Sequence, residues 1–188
     1  MRRLTTTAAS TAAFLALAAG AGAQPAHRFT LTSPDIKPGG RLAATQVYNS
    51  FGCSGGNVSP ALSWSNAPAG TRSFAVTAYD PDAPTGSGWW HWVVYNIPAT
   101  AKGLPAGAGD PAKRLAPAGS VEGNTDFGTP GYGGPCPPPG KPHRYIFTVY
   151  ALKTDKIDVP ASATAAMVGF NLNGNLLAKA TLTGLYGR

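Results

Sequence analysis

Apolar residues in this chain cluster in short continuous runs, with no heptad pattern and no internal repeat. Phe74 to Tyr79, Trp92 to Tyr95 and Tyr145 to Tyr150 are rich in β-branched and aromatic side chains and are bounded by Pro, Gly, Asp or Asn. That pattern predicts core strands. Weaker strands are expected at Phe29 to Thr32, Gln46 to Tyr48 and Ala61 to Ser65. The Ala-rich run after Ser162 predicts a helix to about Phe170 with the serine as its cap, and a last element covers Leu176 to Leu185. Long Gly/Pro segments, Lys102 to Gly123 and Thr125 to Pro142, lie between the strands. Loops of that length in a compact domain usually carry function.

Composition points the same way, to a mainly β fold. Glu122 is the only glutamate and charged residues make up 12% of the chain, so surface helices laced with Glu-Lys pairs are not available. Arg2 and Arg3, the apolar stretch Ala8 to Ala21 and the small residues Ala21-Gly22-Ala23 predict a signal peptide over residues 1–23. The stretch is interrupted by Ser10, Thr11 and Gly20 and is too short for a hydrocarbon core of about 30 Å, so no membrane span is expected. The product is then exported, periplasmic or extracellular, and residues 24–188 form one domain of 165 residues. Without Arg2 and Arg3 its 13 Lys and Arg against 8 Asp and Glu leave a charge of +5. Apart from Lys113-Arg114 no two of those cations adjoin, which argues against a nucleic-acid partner.

Cys53 and Cys136 are the only cysteines, and export implies a disulfide between them. Two separate buried thiols are the competing arrangement. Across a separation of 83 positions a bond would constrain the unfolded chain by roughly 4 kcal/mol at most.

Two segments carry candidate chemistry. Asp80-Pro81-Asp82-Ala83-Pro84 holds two carboxylates on a turn stiffened by prolines, and His91 follows among Trp89, Trp90 and Trp92. A charge is costly there unless it serves a purpose. Gly131-Tyr132-Gly133-Gly134-Pro135-Cys136-Pro137-Pro138-Pro139-Gly140 joins glycines, whose N–H groups can approach a ligand, to a rigid proline run. After it His143 and Tyr145 share a strand face, while Arg144 points the other way. For His143 alone, a structural bond to a backbone carbonyl competes with a binding role. Gly52-Cys53-Ser54-Gly55-Gly56 formally matches the nucleophile elbow of a serine hydrolase, but the residues after it are poor helix formers. No paired-ligand spacing supports a metal, and no cofactor is implied.

Together these segments resemble the phosphatidylethanolamine-binding family, also called Raf-kinase-inhibitor-like proteins, and in particular its short bacterial branch. The resemblance rests on DPDAP with the histidine of WWHWVVYN, on GYGGPCPPPG with HRYIFTVYAL, on Asn57 to Trp64 and on Ala166 to Asn171. It implies an antiparallel β-sandwich-like core with short peripheral helices. It also implies one small anion-binding cavity lined by Asp80, Asp82, Pro84, His91, Gly134, Pro135, His143 and Tyr145. Where many eukaryotic members have Gly-Pro-Pro this chain has Gly134-Pro135-Cys136, and it lacks their C-terminal helical extension, which implies a more open cavity.

The function expected on this basis is non-catalytic binding of a small phosphorylated ligand or phospholipid head group, with a Raf-kinase-inhibitor-like regulatory role as a weaker implication. Inhibition of a protease or another partner protein is the alternative, and a serine or metal hydrolase stands behind both. A homodimer stays open. Near an Asp, an imidazole is favoured in its charged form, so His91 or His143 is expected to meet phosphate as a cation, helped by Tyr145 and by loop N–H groups. Binding should then strengthen on acidification from about pH 8 to about pH 6.

Overall fold

The computed structural model describes Met1 and residues 28–188, so the leader expected at 1–23 and the mature start at Gln24 lie, Met1 aside, outside the described residues. The strands are β1 (Thr30–Thr32), β2 (Leu62–Ser65), β3 (Ser73–Asp80), β4 (Trp89–Pro98), β5 (Gly103–Leu104), β6 (Val121–Glu122), β7 (His143–Leu152) and β8 (Leu176–Tyr186). One helix, α1 (Ala165–Gly174), is present among the described residues. The strands form two antiparallel sheets, in the orders β6-β4-β3-β7-β8 and β1-β2-β5.

The larger sheet is covered on both faces, which explains why its strands read as continuous apolar runs. One face, with Val76, Ala78, Trp92, Val94, Phe147 and Val149, packs against Phe29, Leu31, Leu62 and Trp64 of the smaller sheet and its approach. The other face, with Ala75, Val93, Tyr95, Tyr150 and Leu152, is covered by Ile157, Ala163 and the Val168 and Leu172 side of α1. Burying these side chains, at about 25 cal/mol per Å² of apolar surface, is the main drive for the sandwich.

Two expectations fail locally. Gln46 to Tyr48 is not a strand. Gln46 and Val47 donate their N–H groups to Ala43 and Ala44, three residues back, in a tight turn that the Gly134-Pro135 backbone seals. The helix starts later than Ser162. Pro160 accepts a bond from Ala163 in a preceding turn, and Thr164 is the cap, its hydroxyl accepting from Met167 N at 3.2 Å.

Candidate functional site

At one end of the inter-sheet core a cavity of about 150 Å³ opens between the β3–β4 turn, the Phe51 loop and the Cys136 to Pro138 loop. An engineered cavity of similar size holds a benzene ring. Asp80, the last residue of β3, is only 2% exposed. Its two oxygens accept from Asp82 N at 2.8 Å and from His143 Nδ1 at 2.8 Å. Asp80 and His143 belong to neighbouring antiparallel strands, so the register of β3 with β7 brings them together.

His91 reaches the cavity through an irregularity in β4. Ala78 pairs with Trp92 and Tyr79 pairs with Trp90, which leaves His91 as the extra residue of a β-bulge. Regular alternation would place His91 on the face of Val93 and Tyr95. The bulge instead sets its ring 5.1 Å from that of Tyr145, edge to face. Gly133 holds it twice, donating N–H to His91 O at 2.9 Å and accepting from His91 Nδ1 at 2.6 Å. A carbonyl only accepts, so Nδ1 carries the proton. Burial pushes the ring down to about 4, against the pull of carbonyls and of Asp80 and Asp126.

Tyr145 is 2% exposed, and among the described residues its hydroxyl meets no partner in hydrogen-bonding geometry, the Asp80 carboxylate being its nearest charged neighbour in effect. Burial, and after it the charge of the neighbouring Asp80, raise its ionisation well above the ordinary phenol range, so it stays an O–H donor. Around the opening stand three aromatic rings. Phe127 lies 5.9 Å from Phe51, 5.4 Å from Trp89 and 5.4 Å from His91, centre to centre. Phe51 is 63% exposed at φ 54°, a left-handed conformation that non-glycine residues rarely adopt. The Cys53–Cys136 disulfide joins the Phe51 loop to the proline-rich wall. Arg188 ties the same two loops, donating to Pro137 O at 2.7 Å and Gly52 O at 3.2 Å.

Of the residues expected to line the cavity, Asp80, Pro84, His91, His143 and Tyr145 do so. Asp82, Gly134 and Pro135 do not. Both Asp82 oxygens bind the Arg144 guanidinium, at 2.7 and 2.9 Å, which holds the carboxyl down at about 2 and clamps the start of β7 to the turn. Gly134 is needed for packing, because a Cβ there would lie 2.0 Å from Gln46 O. The loop amides are also spent: Gly133 N–H goes to His91 O and Gly134 N–H to Asn57 Oδ1 at 2.8 Å. The donors expected from this loop therefore serve the protein itself. Of the two histidines expected beside an Asp, His143 bonds Asp80, whereas His91 bonds Gly133 O and burial disfavours its charged form.

The aromatic rim of Phe51, Trp89 and Phe127 went unread in the sequence. The one available signal was a lone phenylalanine in the polar loop Ser50-Phe51-Gly52. Ser54 lies exposed in an irregular stretch with no strand before it and no helix after it, so the elbow geometry is absent. Among the described residues no group of three His, Cys, Asp or Glu side chains is placed to hold a metal. No helix there is long and apolar enough to cross a membrane.

A two-sheet β-sandwich with a polar-floored, aromatic-rimmed cavity at one end is the architecture of a small-ligand-binding protein. The chain belongs to the phosphatidylethanolamine-binding protein family, whose model matches residues 32–187. It is 53% identical over 175 residues to the UPF0098 protein YbcL of Escherichia coli, covering 93% of each chain. It is 51% identical to the UPF0098 protein YbhB of the same organism, covering 83% of this chain and 98% of that one. The crystal structure of E. coli YbcL, described as a new member of the mammalian PEBP family, superposes with a TM-score of 0.83 at 55% identity, covering 85% of this chain and 98% of that one.

Proposed function

We propose that this chain is an exported, non-catalytic binding protein whose cavity takes a small phosphate-bearing ligand or head group. The observation that carries the reading is the unpartnered hydroxyl of Tyr145, buried at the cavity floor beside the Asp80–His143 pair. A buried donor without a partner costs on the order of 1–3 kcal/mol, which a bound acceptor recovers. When His143 holds two protons, Nδ1–H stays on Asp80 and Nε2–H becomes a second, charge-assisted donor. The apolar rim accommodates whatever carbon skeleton bears the phosphate. The disulfide supports export, since such bonds persist in oxidising compartments.

Calorimetric titration with methyl phosphate tests this reading. His143→Ala should weaken binding by about 1.5–3 kcal/mol, the range for a hydrogen bond to a charged group. Ser54→Ala should leave it unchanged. Equal affinity of the wild type and the His143 variant would place the site elsewhere, and a loss confined to Ser54→Ala would favour a hydrolase.

A further inference from the structure

The anion-site reading leaves open which phosphate the cavity takes, and the following rests on that reading. We infer that the cavity selects an oxyanion that still carries a proton, the monoanion of a phosphate monoester, over a phosphodiester or a sulfate ester. The reason is that His91 is locked as an acceptor beside two donors. Its Nδ1–H is committed to Gly133 O at 2.6 Å, and a neutral imidazole has only one N–H, so Nε2 presents a lone pair. Turning the ring over would break that bond inside a residue only 5% exposed. The backbone bond from Gly133 N to His91 O closes the same clamp from the other side.

Around the ring, burial outweighs the Gly133 and Gly134 carbonyls and the Asp80 and Asp126 charges, which favour a second proton, so Nε2 stays bare. Asp80 of β3 is engaged with His143 of β7, and Tyr145 of β7 contributes a donor. Asp126, whose charge also acts on the ring, accepts from Trp90 N at 2.7 Å. A fully deprotonated oxygen facing His91 Nε2 would set lone pair against lone pair. A P–OH group donates to it, while the ionised phosphate oxygens accept from Tyr145 O–H and from His143. A diester has alkyl groups where that proton would be, and a sulfate ester has lost it.

Three probes separate these cases at about pH 5.5, below the second ionisation of a phosphomonoester near pH 6, where each carries close to one negative charge. Methyl sulfate matches methyl phosphate in size and lacks the O–H; dimethyl phosphate keeps the phosphate oxygens and also lacks it. Calorimetry should give methyl phosphate an affinity at least about tenfold higher than either, the penalty for leaving one buried acceptor unpaired. If either control binds within about threefold of methyl phosphate, proton selection is wrong while the anion site stands. If none of the three binds, the anion site falls and this inference with it. Ring ¹⁵N shifts add a readout independent of affinity: His91 should show an unprotonated Nε2 in the free protein, and an Nε2–H tautomer overturns the inference.

Discussion

Tyr145 keeps a hydroxyl that the fold does not satisfy, and its two roles separate by experiment. Tyr145→Phe deletes a buried, unpartnered polar atom and little volume, so the free protein should be as stable as wild type or slightly more so. The same change should weaken phosphate binding by about 1.5–3 kcal/mol, the range for a hydrogen bond to a charged group. Denaturant unfolding and calorimetry on one sample measure both. A structural hydroxyl would show the reverse, with lost stability and unchanged affinity. The site residues that carry charge or an imidazole were legible in the sequence because their neighbours are unusual, a stiff Asp-Pro turn and a histidine among tryptophans. Asp82 was misplaced for a physical reason: its partner Arg144 alternates to the other face of β7 and takes the carboxylate with it.

At the level of elements, β3, β4 and β7 were readable because a sheet covered on both faces needs apolar residues without a break. The bulge at His91 was not, since a one-residue slip between β3 and β4 leaves no mark on composition. The two-residue strands β5 and β6 are too short to signal themselves inside the segment from Lys102 to Gly123. The turn at Gln46 was mistaken for a strand because the residues that seal it come from Tyr132 to Pro135, far along the chain. Two glycines test that closure. Gly134→Ala forces a Cβ to within 2.0 Å of Gln46 O and 2.6 Å of Tyr48 N, both backbone atoms, and should destabilise by about 1–3 kcal/mol. Gly174→Ala, at the end of α1, meets nothing within 4 Å and should be neutral or stabilising by up to about 1 kcal/mol. Urea midpoints that fall equally for both would refute the packing role of Gly134.

Stability against pH belongs to the whole molecule, where one half-buried and one buried group act in opposite directions. Glu122 takes a bond from Trp92 Nε1 at 2.9 Å through one oxygen, while the other is buried without a partner, and burial pushes it up to about 7. The unfolded chain releases that proton near its ordinary value of 4.5, so this group costs stability as pH rises from about 4.5 to 7. His91, pushed down to about 4 from an ordinary 6.5, costs stability as pH falls from about 6.5 to 4. Each slope is at most about 1.4 kcal/mol per pH unit, so the two largely cancel between about pH 4.5 and pH 6.5. Glu122→Gln removes one of them. Its unfolding free energy should climb across that window where the wild type stays nearly level, and it should exceed wild type above pH 7 by up to about 3 kcal/mol. Parallel pH profiles for the two proteins would contradict the assignment.

The Cys53–Cys136 bond spans 83 positions and joins the two loops that wall the cavity. Replacing both cysteines by serine should cost up to about 4 kcal/mol by the chain-entropy estimate, read in thermal unfolding, and should weaken ligand binding as the wall loosens. The central claim is that the cavity between the β3–β4 turn and the proline-rich loop is where phosphate binds. The most direct measurement is an NMR titration of the assigned protein with methyl phosphate, following the His91 and His143 rings and the backbone of Asp80 and Tyr145. The account predicts saturable shifts concentrated at those four residues and at Phe51 and Phe127 on the rim. A saturable response elsewhere, with those signals unmoved, would contradict it.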